Sequence, residues 1–150
     1  MTDYVIRKAV SSDAHMIAEI EKECIKQPWS ENLILSEIND PQAIFIVYEI
    51  SDSVVAYVSG RNIVGEFYVN NIAVTPKLRR KQIAEKLMNT LIKYAEDAGC
   101  EFITLEVRKC NLPARQLYHK CDFSEIGIRP GYYKDPPDDA VIYTIYFRTE

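Results

Sequence analysis

The sequence predicts an α/β protein in which a mixed, mostly antiparallel sheet of about six to seven strands is flanked by about four helices. Three observations indicate this class. Apolar runs with strand composition follow one another between residues 43 and 75, separated by turn residues. Amphipathic helical stripes precede and follow that region. A nearly continuous apolar run at residues 101–107 is typical of a strand inside a sheet.

The composition is that of an ordinary globular domain. The 150 residues are 47% hydrophobic and 27% charged, so the chain can bury a substantial core. The net charge of −4 does not indicate nucleic-acid binding. No apolar run is long enough to span a bilayer, and the N-terminal residues lack the apolar segment of a secretory signal. We expect a cytoplasmic monomer or weak dimer, without a membrane or nucleic-acid partner.

The cysteines argue against a disulfide framework and against a metal site. Cys24, Cys100, Cys110 and Cys121 contain no CxxC pair, so we expect buried, reduced thiols and no metal. Cys110 has an alternative reading as an acyl-accepting nucleophile, although no histidine lies at a nearby position that would activate it.

The first third of the chain is predicted to hold one strand and two helices. Residues 2–10 form the strand, and residues 11–25 form a helix whose apolar residues recur at helical spacing. Pro28 breaks that helix, and Ser30 caps a second one over residues 31–38.

The rest of the chain is predicted to form three antiparallel strands, followed by alternating helices and strands. The helix after the third strand carries one apolar line, and Gly99 is its expected C-terminal cap. The expected strands are 43–50, 54–64, 66–75, 101–107, 123–129 and 140–147, and the expected helices are 82–98 and 113–121. Residues 131–140 are expected to be a long polar connection.

A basic loop joins the strand ending near Pro76 to the following helix. Its sequence is KLRRKQIA, and it opens a helix whose first N–H groups have no partner within the helix. Such a helix start attracts phosphate, and arginine side chains add suitable charge. The alternative is a solvated basic turn. Neither a P-loop nor a dinucleotide-binding glycine pattern is present.

Glu106 and Tyr118 are the candidate acid–base residues. Glu106 lies on the apolar strand at 101–107, where burial would raise the pKa of its carboxyl group and make it a better base near neutral pH. The alternative is an ion pair with Arg108 or another basic group. Tyr118 could reach back to the end of that strand and donate a proton, or it could be a core residue. Asn111 could orient a cofactor or cap the short helix.

Four segments together closely resemble the GCN5-related N-acetyltransferase family (GNAT). They read IAVTP, RRKQIA, LEVRKCN and ARQLY, and the resemblance covers nearly the whole chain. PWS near the start, LEVR with Asn111, and RPGYY after the sixth strand are most similar to the RimI-type branch. Enzymes of that branch acetylate the N-terminal α-amine of a small-subunit ribosomal protein.

The resemblance implies one N-acetyltransferase domain over residues 1–150, with a sheet splayed between its fourth and fifth strands and acetyl-CoA as co-substrate. Glu106 would be the general base and Tyr118 the general acid. The implied cofactor contacts are the main chain of Ile72, Ala73 and Val74, the loop residues Arg79, Arg80, Lys81, Gln82, Ile83 and Ala84, and Asn111. The partner would be a protein N-terminal peptide.

Two positions depart from the family pattern. Gln82 stands where the first glycine of the loop is usual, and Asp122 replaces a glycine before Phe123. If Gln82 already belongs to the helix, its φ is negative and glycine is not required there. Two alternatives remain open, namely acetylation of a small amine or a lysine side chain, and a CoA-binding or partner-binding module without catalysis.

Overall fold

The computed structural model describes residues 3–79 and 82–147. The strands are β1 (Tyr4–Lys8), β2 (Ala43–Ile50), β3 (Ser53–Ile63), β4 (Glu66–Val74), β5 (Phe102–Arg108), β6 (Ser124–Lys134) and β7 (Pro137–Tyr146). The α-helices are α1 (Ala14–Cys24), α2 (Glu31–Ile38), α3 (Ile83–Asp97) and α4 (Leu112–Lys120). Short 3₁₀ turns occupy Ser11–Asp13 and Pro76–Leu78.

The strands form one mixed sheet in the order β1-β2-β3-β4-β5-β7-β6. Every neighbouring pair is antiparallel except β4 and β5, which run parallel and are joined through α3. A parallel pair needs such a crossover, because a tight turn cannot return the chain to the same end. The predicted fold class is confirmed. No helix in the described part of the chain is both long and apolar enough to cross a membrane.

Helices cover both faces of the sheet. On one face, α3 and α4 pack on a core that includes Leu87, Leu91 and Leu105. On the other face, α1 and α2 pack on a second core, in which Ile17 and Tyr57 are fully buried. The predicted stripe of α3 is confirmed, because its apolar line is buried and Gly99 follows the helix with φ +79°.

Local contacts fix where α1 and α2 begin. The carboxylate of Asp13 accepts a hydrogen bond from the main-chain N–H of Val10 at 2.7 Å and binds the Arg7 guanidinium at 2.8 Å. Arg7 therefore ties β1 to the start of α1 and lowers the pKa of the Asp13 carboxyl group. At α2, the Ser30 hydroxyl accepts from the N–H of Leu33 at 3.1 Å, so the predicted cap is confirmed.

The predicted polar connection at residues 131–140 is wrong. Most of this segment continues β6 and β7 as a hairpin, with Tyr133 opposite Asp138 and Lys134 opposite Pro137. Main-chain hydrogen bonds hold such a hairpin without apolar side chains, so a polar, proline-containing sequence hid the strands. The hairpin turns at Asp135 and Pro136 and extends the sheet beyond its core.

Candidate active site

The sheet opens between β4 and β5. The two strands pair only at Glu66–Phe102, Phe67–Ile103 and Tyr68–Thr104, and beyond these pairs they separate. The C-terminal half of β4 keeps its pairing with β3, so only its β5-facing edge is open. Main-chain groups on this edge of β4 are therefore exposed to the gap between β4 and β5.

Alternation along β4 determines which main-chain groups face the opening. The N–H of Thr75 donates to the carbonyl of Val55 on β3 at 2.9 Å. In an antiparallel pair successive residues direct their main-chain groups to opposite edges, so those of Ala73 point to β3 and those of Ile72 and Val74 point to the opening.

Arg79 and α1 reach the same edge of β4. The Val74 carbonyl accepts from Arg79 Nε at 3.2 Å and from the Cys24 thiol at 3.4 Å. Arg79 Nη2 also donates to Cys24 Sγ at 3.2 Å. The end of α1 and the first arginine of the basic loop thus meet beside the opening, where the resemblance assigns cofactor contacts.

The start of α3 has the geometry of an anion site. Gln82 adopts the left-handed conformation (φ +63°), and its side chain makes no capping hydrogen bond. The first intrahelical bond runs from the N–H of Lys86 to the carbonyl of Gln82, so the earlier N–H groups have no partner within the helix. Ile83 is buried and Ala84 half-buried. Arg80 and Lys81 lie outside the described residues.

The conformation of Gln82 corrects one expectation. Gln82 is not part of the helix, and its φ is positive, which is the region that glycine adopts at no steric cost. A glycine at this position is therefore favoured by the backbone, and Gln82 adopts the same geometry with strain.

Glu106 is not buried, contrary to the sequence prediction. It lies at the surface, with 30% of its side chain exposed, and Arg129 of β6 binds its carboxylate through Nε and Oε2. Its neighbours Leu105 and Val107 face the core under α3 and α4, so alternation turns Glu106 to the opposite face. The helices of that face, α1 and α2, form their core with residues of β2, β3 and β4, which leaves Glu106 of β5 exposed. The expected ion pair forms with Arg129 and not with Arg108.

Tyr118 lies on the other face of the sheet. It is 7% exposed and its ring contacts those of Phe123 and Tyr143, with centroids 5.8 and 5.7 Å away. Burial raises the pKa of the Tyr118 phenol well above its usual value, so it stays protonated at physiological pH. Glu106 and Tyr118 therefore lie on opposite faces of the sheet.

Asn111 and Cys110 have structural partners at the start of α4. The Asn111 side-chain oxygen accepts from the N–H of Ala114 at 3.2 Å, so Asn111 caps the helix. Cys110 is exposed and Cys24 is partly exposed, so the expectation that all the thiols are buried is wrong. A hydrogen bond with Asp138 raises the pKa of the Cys110 thiol, which disfavours the thiolate that a nucleophile requires.

Sequence reasoning missed a buried carboxylate on α1. Glu21 is 1% exposed and accepts hydrogen bonds from the Tyr57 hydroxyl, from the N–H of Trp29 at 2.9 Å and from the Asn71 amide at 3.4 Å. Burial raises the pKa of the Glu21 carboxyl group, while the Trp29 and Asn71 donors oppose that shift. The signal was its place on the apolar stripe of α1, four residues after Ile17.

The carboxylate, thiol and imidazole side chains within residues 3–79 and 82–147 are dispersed. Within those ranges, no cluster of three or more His, Cys, Asp or Glu side chains could hold a metal ion.

Solved structures assign this split sheet to the class of N-acetyltransferases. The crystal structure of the ribosomal-protein-S18-alanine N-acetyltransferase of Escherichia coli matches with a TM-score of 0.89 at 27% identity, over 99% of this chain and 96% of that one. Arabidopsis thaliana NAA60 in complex with acetyl-CoA matches with the same TM-score at 16% identity, over 97% and 100% of the two chains. At that identity, the second match shows the fold alone.

Sequence comparison then identifies the family. Residues 14–123 match the acetyltransferase (GNAT) family. An uncharacterised N-acetyltransferase of Methanocaldococcus jannaschii is 35% identical over 139 residues, or 92% of this chain and 88% of the relative. The ribosomal protein bS18-alanine N-acetyltransferase of Haemophilus ducreyi is 30% identical over 145 residues, or 95% and 99%. The chain belongs to the acetyltransferase (GNAT) family, as the sequence motifs predicted.

Proposed function

We propose that this protein transfers the acetyl group of acetyl-CoA to the N-terminal α-amine of a protein, with a ribosomal protein as the favoured acceptor. The observation that carries the proposal is the opening between β4 and β5, with Glu106 on one face and the Tyr118 phenol on the other. Relatives support the acceptor, since one at 30% identity is named for ribosomal protein bS18 and another, from Saccharolobus solfataricus, is an N-alpha-acetyltransferase.

The opening would hold acetyl-CoA by its main chain. Ile72 and Val74 direct main-chain groups into it, while those of Ala73 serve the pairing with β3. The N–H of Val74 could stabilise the oxyanion of the tetrahedral intermediate, a contribution of about 2.7–4 kcal/mol for comparable donors. Asn111 could contact the cofactor through its amide nitrogen, because its cap uses only the oxygen.

The start of α3 would bind the pyrophosphate. The N–H groups around Gln82, Ile83 and Ala84 lack partners within the helix and suit an anion, and half-buried Ala84 allows close approach. Arg79 binds the Val74 carbonyl in the structure, and it would turn its guanidinium to the phosphates when they arrive. Arg80 and Lys81 remain assigned to this role by the sequence pattern.

Glu106 would remove the proton from the attacking amine. An α-amine has a pKa near 8, so freeing it at neutral pH costs about 1 kcal/mol, against about 5 kcal/mol for a lysine. A single exposed carboxylate, acting directly or through water, is an adequate base for the first case. This difference favours an α-amine over a lysine side chain as acceptor.

Tyr118 would protonate the departing CoA thiolate. Its raised pKa keeps the proton in place until the thiolate forms. The raised pKa also makes the phenol a weaker acid, so the transfer requires a thiolate whose own proton affinity is raised by apolar surroundings.

Acetyl transfer to a peptide panel, read by mass spectrometry, tests the proposal. Matched peptides would carry a free or a blocked α-amine, each with and without a lysine. We expect product only on free α-amines, and Glu106→Gln should slow the transfer by about 10²- to 10³-fold while still binding acetyl-CoA. Product on lysines or small amines would mean that one of these amines, and not a protein N-terminus, is the acceptor. Binding of acetyl-CoA without transfer to any amine would favour the non-catalytic module.

A further inference from the structure

The sheet surface around Glu106 is a small grid of side chains on three strands. Glu106 lies opposite Ile142 on β7, which in turn lies opposite Gly127 on β6. Two residues further along, Ala140 of β7 lies between Arg108 and Arg129. Residues two apart on a strand share a face, so both arginines lie on the same face as Glu106.

Small residues in this grid let Arg129 reach Glu106. To reach Glu106, the Arg129 side chain must extend diagonally across β7. Ala140, its partner on β7, is small, and Gly127 has no side chain that would block the path. The contact joins Arg129 Nε to Glu106 Oε2. Such an ion pair is expected when an unobstructed arginine side chain can bring its guanidinium to a carboxylate.

Arg108, the nearer arginine in sequence, is occupied elsewhere. Its Nη1 donates to the carbonyl of Pro136 at 2.7 Å and its Nη2 to the carbonyl of Asp135 at 3.2 Å. Its guanidinium also lies 4.3 Å from the ring centroid of Tyr133. Arg108 therefore secures the tip of the β6–β7 hairpin, and Arg129 is the member of this arginine pair that binds the carboxylate.

We propose that Arg129 is a positioning residue that orients the Glu106 carboxylate toward the acceptor amine, which rests on the proposed role of Glu106 as base. Arg129 holds Oε2, so Oε1 is the oxygen left to take the proton of the amine. An unheld glutamate on an exposed surface samples several rotamers, and proton transfer requires one of them. Arg129 binds neither substrate in this role, and it acts only through Glu106.

The exposure of Arg129 makes this role accessible to substitution. Its side chain is 59% exposed, so a change there removes little packing. For Arg129→Gln we expect turnover on a free-α-amine peptide to fall about 10- to 100-fold, with the Kd for acetyl-CoA within about twofold of wild type. Arg129→Lys keeps the charge and should recover part of the loss. Lys93→Gln, which removes an exposed cation paired with Asp97 on α3, is the matched control and should match wild type.

The double variant Glu106→Gln/Arg129→Gln decides whether Arg129 acts through Glu106. If it does, the double variant is no slower than Glu106→Gln alone, because nothing remains to be oriented. If the double variant is slower than Glu106→Gln by the full loss seen in Arg129→Gln, the inference is overturned. Wild-type turnover in Arg129→Gln, together with slow turnover in Glu106→Gln, would overturn it as well. Wild-type turnover in Glu106→Gln itself would instead remove the base assigned under the proposed function, and the inference with it.

Discussion

The two edges of the opening in the sheet offer different chemistry. The β4 edge presents main-chain groups of Ile72 and Val74, backed by apolar side chains. The β5 edge presents a charged side chain, Glu106, and the neighbouring helix α4 supplies the phenol of Tyr118. The first edge is suited to hold a ligand and the second to move protons.

Because of this difference, substitutions at the two edges should affect different properties, namely cofactor binding and turnover. Main-chain groups persist whatever side chain is attached, so changes along the β4 edge should alter binding only through backbone geometry. A proton transfer depends on single atoms, so one change at the β5 edge should remove turnover and spare binding.

The largest expected effect is that of Tyr118→Phe. The variant loses only the hydroxyl and keeps its ring against Phe123 and Tyr143. Turnover should fall about 10²- to 10⁴-fold with the Kd for acetyl-CoA unchanged, as steady-state kinetics and calorimetric titration would show. Tyr143→Phe removes another buried hydroxyl, one bonded to Arg115 at 3.0 Å, and is the control for loss of stability. Unchanged turnover in Tyr118→Phe would exclude this residue as the acid.

Gln82→Gly sharpens the comparison at the binding edge. Glycine relieves the positive φ, and we expect the protein to gain about 0.5–1 kcal/mol of stability, less than the full strain because the unfolded chain also gains freedom. The affinity for acetyl-CoA should be kept or improved. Thermal unfolding and calorimetric titration measure both.

Val64→Gly is the control for Gln82→Gly. Val64 also has a positive φ (50°), at an exposed turn between β3 and β4. This variant should gain stability without a change in acetyl-CoA affinity. A sharp loss of affinity in Gln82→Gly alone would mean that the glutamine side chain itself binds the cofactor.

The smallest expected effect is a change in the pH dependence of stability in Glu21→Gln. The folded protein raises the pKa of the Glu21 carboxyl group above the unfolded value of 4.5. The folded state therefore binds this proton more tightly than the unfolded state. As a result, the contribution of Glu21 to the free energy of unfolding rises as pH falls through the folded pKa. Above the folded pKa, the penalty for the buried charge is fully present.

A glutamine at this position carries no charge at any pH, so the variant lacks this dependence. Relative to wild type, Glu21→Gln should be most stable near neutral pH, and the advantage should shrink on acidification toward 4.5. Urea unfolding across that range measures the difference. Glu23→Gln, an exposed change on the same helix, controls for the loss of charge. Parallel curves for Glu21→Gln and wild type would contradict the account.

Much of the fold followed from apolar patterning. The stripe of α3 and the apolar run of β5 predicted a helix packed on an interior strand, because the spacing of apolar residues along each segment identifies its buried face. Both strands of the β6–β7 hairpin were predicted, but its tip was missed because main-chain bonds hold it and its mostly exposed side chains show no hydrophobic alternation.

The site was less predictable than the fold. The residue types Glu106 and Tyr118 stood out in the sequence, but the exposure of Glu106 depends on which strands α1 and α2 cover, and that is a property of the assembled sheet. The partner Arg129 depends on the register across β7, which no local pattern specifies. The left-handed backbone at Gln82 was hidden because glycine, its usual signal, is absent.

The proposed function requires acetyl-CoA to lie in the opening against the main chain of β4. Titration of isotope-labelled protein with acetyl-CoA, followed by amide chemical shifts, tests it most directly. We expect large shifts for the amides of Ile72 and Val74 and small ones for Ala73, whose N–H is directed to β3. Saturable binding that leaves the amide shifts of Ile72 and Val74 unchanged would place the cofactor elsewhere and exclude the opening as its site.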